Sequence, residues 1–395
     1  MKRKKKVFSA GDKLRVRKSY YTFTREYPQG FVRIERSRRR IDKKQVRRAA
    51  LYALCFLLIA GISYFAVSLG IEISYRPADE AQENQVQSSV ALLLGEDGVK
   101  AVYIPYNRLG NEGYLKDAVK QVKRKNGNSV IIDFKTREGK LVYSSLQENA
   151  IKGKCALYDN DTLRRALDIF EDAGIAVIAR IYCFEDAAVA NSDPALAVKY
   201  MNTDVNWLDG KNENGGSPWL NPYSKQVRSY LAGVVREISS FGVGAFMLEA
   251  LQFPDGENVS GATFPGEKSQ DRRNTALKNT LTQIKNALPE EALVIFSMSA
   301  NDAVDGNAVK YSGSMTDIGT FGLAVDTRER PLGVAVDKKT DFISILSMYS
   351  AVSAQYQGKE LIPVIDMQEY SYSYIRSMKK AGVRSFILYS ETGEY

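Results

Sequence analysis

SVIIDF at Ser129–Phe134, LRRALDIF at Leu163–Phe170 and IAVIARI at Ile175–Ile181 make one strand–helix–strand unit, and that unit decides the fold. The two short runs are apolar at nearly every position, as strands covered on both faces are. Leu163, Leu167 and Phe170 recur at helical spacing, and Gly174 stops that helix before the next run. The pattern repeats in both directions. Further strand-like runs are Val99–Ile104, Ala245–Ala250, Ala292–Met298, Phe342–Ser347, Leu361–Ile365 and Arg384–Leu388. Between them lie apolar stripes at Leu115, Ala118, Val119 and Val122, and at Val227, Tyr230, Leu231, Val234, Val235 and Ile238 behind a cap at Ser224. Leu277, Leu281, Ile284 and Leu288 form another stripe, and Tyr374, Ile375 and Met378 a last one before Gly382. Eight strands alternating with helices predict an α/β fold, a (β/α)8 TIM-like barrel. Ala303–Lys339 is Gly- and Asp-rich without periodicity, and no covering helix follows the last run, so an open doubly wound sheet stays as the alternative.

Outward from this domain, at 49–71, the sequence AALYALCFLLIAGISYFAVSLGI carries no charge. A helix of that length spans about 35 Å, enough for a hydrocarbon core of about 30 Å. Residues 1–48 hold 19 Lys/Arg against four acidic residues, while the chain beyond is net acidic. This bias predicts a cytoplasmic N-terminal tail (1–48), one transmembrane helix (49–71), a polar stalk (72–90) and a barrel ectodomain (91–395) outside the cell membrane. The tail interleaves its charges with Phe8, Tyr20, Tyr21, Phe23, Tyr27 and Phe31. Attraction to anionic lipid headgroups explains that pattern with less machinery than nucleic-acid binding.

The chain has no histidine, which excludes Ser-His-Asp and Cys-His catalysis and His-ligated zinc. No phosphate loop, dinucleotide fingerprint or metal motif is present, so no cofactor is expected. Cys55 lies in the apolar span; Cys155 and Cys183 could pair or stay free. Chemistry must therefore rest on carboxylates, Lys, Tyr or Cys. In a barrel, functional groups sit at the C-terminal strand ends. Those positions hold Asp133, Lys135, Arg180, Glu249, Asp302, Tyr349, Asp366 and Glu391. Carboxylates converging on one mouth suit glycoside hydrolysis, where one protonated carboxyl feeds the leaving oxygen and an ionised partner acts as nucleophile or base.

Four stretches resemble a bacterial family of glycoside hydrolase-like barrels of the amylase type. VKAVYIP at Val99–Pro105 with SVIIDFKTREGKLVYSS at Ser129–Ser145 is similar to its first two strands. IAVIARIYCFEDAAVANSDP (Ile175–Pro194), WLDGKNENGGSPWLNPYSKQVRSYL (Trp207–Leu231) and FGVGAFMLEALQFPDG (Phe241–Gly256) follow in the family's order. The resemblance implies a polysaccharide or oligosaccharide partner and a carboxylate pair. It implies Glu249 and Asp366 as that pair with Asp133 in support, and Arg180, Trp219, Tyr349 and Asp302 as substrate contacts. Where the family pattern has Asp, Tyr and Arg, this chain has Glu249, Ala250 and Gln252. A longer carboxylate without that cation implies weakened catalysis; a barrel that binds envelope carbohydrate, or a scaffold, is the alternative reading.

Overall fold

The computed structural model describes residues 21–23, 34–36, 80–210, 215–255, 258–265, 272–305, 308–311, 319–326, 352–366, 376, 379–380 and 382–393. The chain divides into two units, Met1–Pro77 and Ala78–Tyr395. In the first, strands β1 (Tyr21–Phe23) and β2 (Ile34–Arg36) pair antiparallel. The expected transmembrane segment 49–71 lies outside the described residues; among those described, no helix is long and apolar enough to cross a membrane.

The second unit runs α1 (Glu80–Leu94), β3 (Lys100–Ile104), α2 (Glu112–Arg124), β4 (Ser129–Lys135), α3 (Glu148–Lys152), α4 (Asn160–Glu171) and β5 (Ala176–Tyr182). It continues through α5 (Ala187–Ser192), β6 (Lys199–Tyr200), α6 (Lys225–Ser239), β7 (Ala245–Glu249), β8 (Ala262–Thr263), α7 (Arg273–Lys285) and β9 (Leu293–Ser299). Then come α8 (Ala300–Asp305), α9 (Ala308–Tyr311), β10 (Gly322–Asp326), β11 (Glu360–Asp366) and β12 (Phe386–Tyr389). Strands β3, β4, β5, β7, β9, β10, β11 and β12 pair in parallel and close into a barrel, with β12 against β3. The open-sheet alternative is thereby excluded.

Sequence logic survives in detail. The α2 stripe buries Leu115, Ala118 and Val122, and the α4 stripe buries Leu163, Leu167 and Phe170. Ser224 caps α6 by accepting from the Val227 amide at 3.3 Å. Two expectations are corrected. The sixth barrel strand is Gly322–Asp326, inside the stretch read as aperiodic, and it pairs with β9 and β11. Phe342–Ser347, expected in that place, lies outside the described residues. The expected polar stalk also becomes α1 from Glu80 onward. Val86, Val90 and Leu93 pack into the inner core formed by Val99, Ala101, Ile131, Ile178, Ala245, Met247 and Ile295. Gly244 permits this approach, since a Cβ there would stand 3.0 Å from Val86 Cγ1 and Val90 Cγ2. A helix thus stoppers the N-terminal end of the barrel, which leaves the opposite end for a site.

Candidate active site

Alternation along the strands sends one residue in two toward the barrel axis. That inward series ends, at the C-terminal rim, with Tyr103, Asp133, Arg180, Tyr182, Glu249, Asp326, Asp366 and Tyr389. The floor is organised around Arg180, only 3% exposed. Its Nη2 donates to Asp133 Oδ2 at 2.9 Å while Nε engages Oδ1, a bidentate pair between neighbouring strands. The guanidinium carbon lies 4.9, 5.4 and 5.3 Å from the ring centroids of Tyr103, Tyr182 and Tyr389. The rings of Tyr103 and Tyr389 stack at 4.5 Å, and the Tyr103 hydroxyl donates to Asp133 Oδ2 at 2.8 Å. Burial opposes the charge on Arg180, but Asp133, with help from Glu249, outweighs it and holds the group firmly protonated.

Glu249 ends β7, its side chain 17% exposed and its Oε1 3.9 Å from Arg180 Nη1. A fixed cation therefore stands beside this carboxylate even though Gln252 replaces the family's arginine. Gln252 Oε1 instead accepts from the Tyr311 hydroxyl at 2.9 Å. The residue after Glu249, Ala250, has φ +49°, a left-handed conformation that an L residue adopts only at a cost and that turns the chain sharply at the rim.

Beyond Tyr182 the β5 strand climbs past the rim. Cys183 N donates to Glu249 O at 2.8 Å, Phe184 N to Ala250 O at 3.3 Å, and Glu185 bridges Trp219 antiparallel. This extension carries a carboxyl that strand-end counting missed. The Glu185 side chain is 12% exposed and meets Arg137 Nε at 2.7 Å. Burial pushes the Glu185 carboxyl up to about 7; Arg137 pulls it back, and the charges of Asp209 and Glu249 add to the rise. The signal was in the sequence: an acidic FED tripeptide follows an apolar strand by two residues.

Other expected site residues take structural posts. Trp219 is 3% exposed, and its Nε1 donates to Asp209 Oδ2 at 3.0 Å, so its ring offers no open face for stacking. Asp302 is buried and pairs with Lys310 at 2.9 Å, which also reaches Asp255 at 3.5 Å. A β-bulge between Asp133 and Lys135 turns Lys135 out of the interior. Asp366 and Asp326 stand half-buried at the ends of β11 and β10, on the wall facing β4 and β5. Tyr349 lies outside the described residues. Cys155 and Cys183 are both buried and free, with burial pushing their thiols up to about 11 and about 12. Among the described residues no cluster of acidic or sulfur ligands could hold a metal ion.

Residues 101–316 match the family described as putative glycosyl hydrolase domain. No curated protein sequence matches the chain. A hypothetical protein from Ruminiclostridium thermocellum is 23% identical, with 49% of this chain and 96% of that one covered and a TM-score of 0.43. The glycoside hydrolase domain of PelA from Pseudomonas aeruginosa is 13% identical over 64% of this chain and 94% of its own, with a TM-score of 0.37. For the family 20 exo-β-N-acetylglucosaminidase from Vibrio harveyi the identity is 11% and the TM-score 0.43, over 67% of this chain and 41% of that one. The chain thus spans less than half of the Vibrio enzyme.

Proposed function

Because the chain belongs to the family described as putative glycosyl hydrolase domain, we propose that its barrel mouth binds a polysaccharide or oligosaccharide and hydrolyses a glycosidic bond with two carboxyl groups. One observation carries this reading: two carboxyls, one at the end of β7 and one three residues past the end of the adjacent β5, have opposite electrostatic settings. Glu249 stands next to a buried cation, and Glu185 is held up to about 7 by burial. Carboxyls set apart in this way are what an acid and its ionised partner require. Glu185 gives its proton to the bridging oxygen as the anomeric C–O bond breaks. Glu249 stabilises the developing oxocarbenium carbon or activates the incoming water, and that water supplies the hydroxyl and the proton that complete hydrolysis. Glu185 replaces Asp366 as the partner of Glu249 in the pair, and Asp366 with Asp326 lines the facing wall, where carboxylates accept from sugar hydroxyls. Tyr182 and Tyr389, half-buried at the mouth, replace Trp219 as the aromatic surface for a sugar ring. Asp133 is a holder of Arg180 and not a reacting group.

The pH dependence follows with a definite sign. A general acid works only while protonated, so kcat/KM falls about tenfold per unit above pH 7. Glu185→Gln removes that limb and lowers the rate by about 10²-fold or more, least on substrates whose leaving group needs no proton. Activity that rises through pH 7 would defeat the assignment. The same group makes stability fall with alkali: its contribution is complete below the ordinary 4.5 and is lost as pH rises through about 7.

A non-hydrolysing carbohydrate-binding barrel is the second reading, favoured by Gln252, which stands in place of the family's arginine and is tied to Tyr311. Residues 49–71 serve, in either reading, as a membrane anchor with the tail inside, the barrel outside and anionic lipid at the tail. Protease added to intact cells is expected to remove the barrel and spare the tail; a protected barrel reverses the topology.

A further inference from the structure

The end of β4 supplies three charged side chains, and each grips a different part of the end of β5. Asp133 takes Arg180, and Arg137 takes the carboxylate of Glu185. Between them Lys135 is wholly buried, and its ammonium is spent on backbone: it donates to the Tyr182 carbonyl at 2.6 Å and the Glu185 carbonyl at 3.4 Å. Its counter-ion is Asp186 at 3.0 Å, also wholly buried. Asp186 Oδ1 accepts from the Val189 amide at 2.8 Å, capping α5, and Oδ2 accepts from the Tyr230 hydroxyl at 3.1 Å on α6. A buried ion pair is weak evidence for stability, since a well-packed apolar pair often does as well. Fixing a backbone that an apolar pair could not grip is a better reason for it to be there.

We propose that Lys135 and Asp186 are positioning residues for the site: they clamp the backbone of residues 182–186 so that the Glu185 carboxyl stays in its water-poor place against Arg137. The device rests on Glu185 being the proton donor. It acts from outside the barrel and touches no substrate. Gly139 belongs to it, because it closes the turn after β4 at φ +84° and any Cβ there collides with the Asp186 carboxylate. Burial in the clamped place raises the Glu185 carboxyl, so a loosened clamp admits water and lowers it.

The test uses the full chain with [13C]glutamate and an isotope-edited infrared titration, the Glu185 band being assigned by its loss in Glu185→Gln. Lys135→Met combined with Asp186→Asn removes both charges together and keeps an acceptor for the α5 cap. Gly139→Ala disturbs the same carboxylate from a turn and covers the case in which the double variant does not fold. In a folded variant the titration midpoint is expected to drop by at least about one unit. On any substrate turned over, kcat falls at least about tenfold with KM nearly constant. A wild-type midpoint near 7 that neither folded variant moves overturns the clamp alone. A wild-type midpoint near the ordinary 4.5 overturns the donor assignment and the clamp with it.

Discussion

Glu249→Gln is expected to cut hydrolysis by about 10³-fold or more while leaving glycan affinity within about threefold. The substitution keeps the shape and one acceptor oxygen but removes the negative charge. In the wild type that charge lies 3.9 Å from the Arg180 guanidinium, in a mouth floored by tyrosines. An oxocarbenium-like transition state gains most from a fixed anion, and the ground-state sugar gains little, so the loss belongs in kcat and not in KM. Paired measurements of turnover and of binding by calorimetry separate the two. Equal loss of affinity and turnover would make Glu249 a binding residue, and an unchanged rate would remove it from the chemistry. Glu249→Asp with Gln252→Arg, which restores the family's pair, is the informative companion. Because Arg180 already serves Glu249 in this chain, little gain is expected from it.

Removing Asp133 is expected to damage the fold more than the reaction. Asp133→Ala leaves Arg180, 3% exposed, without its bidentate partner and, among the described residues, with the more distant Glu249 as the remaining ion-pair partner. Breaking one side of a buried pair costs about 3–5 kcal/mol, largely the penalty for the charge left behind. Denaturant unfolding of the full chain measures it. Asp133→Leu with Arg180→Met should recover most of that loss, because no charge is then stranded. A single variant within about 1 kcal/mol of wild type would show that Tyr103, Tyr182 and Tyr389 stabilise the guanidinium by themselves.

Much of this arrangement could be read from residue order. Strands such as Ser129–Lys135 and Ala176–Tyr182 are apolar on both faces because helices cover one side and the barrel core the other. Asp133 and Arg180 interrupt those runs at equivalent positions, and their pairing follows from the parallel register. The sixth strand escaped because GLAVD is short and lies among glycines and aspartates, whereas FISILS carries a stronger apolar run. Helix α1 escaped for the opposite reason: its polar composition masks Val86, Val90 and Leu93, spaced four and three apart on one face. Trp219 shows the limit of composition, since a loop indole reads the same whether its ring is open to a ligand or buried against its own loop. Glu185 lies three residues past its strand, where the antiparallel bridge to Trp219, the Cys183 and Phe184 amides on the Glu249 and Ala250 carbonyls, and the Lys135 ammonium on its own carbonyl fix its place. The approach of Arg180 to Glu249 is equally a matter of three dimensions, joining β5 to β7.

The central claim is that the mouth cleaves a glycosidic bond. Its most direct test incubates the full chain in 18O-water at pH 6 with neutral glucans, amino-sugar polymers and uronates, and analyses the products by mass spectrometry. The account predicts new reducing ends from at least one polymer, with one 18O on the anomeric carbon, and none from Glu249→Gln. A wild-type chain that binds one of these polymers and yields no 18O-labelled reducing end would contradict it and establish the barrel as a binding module.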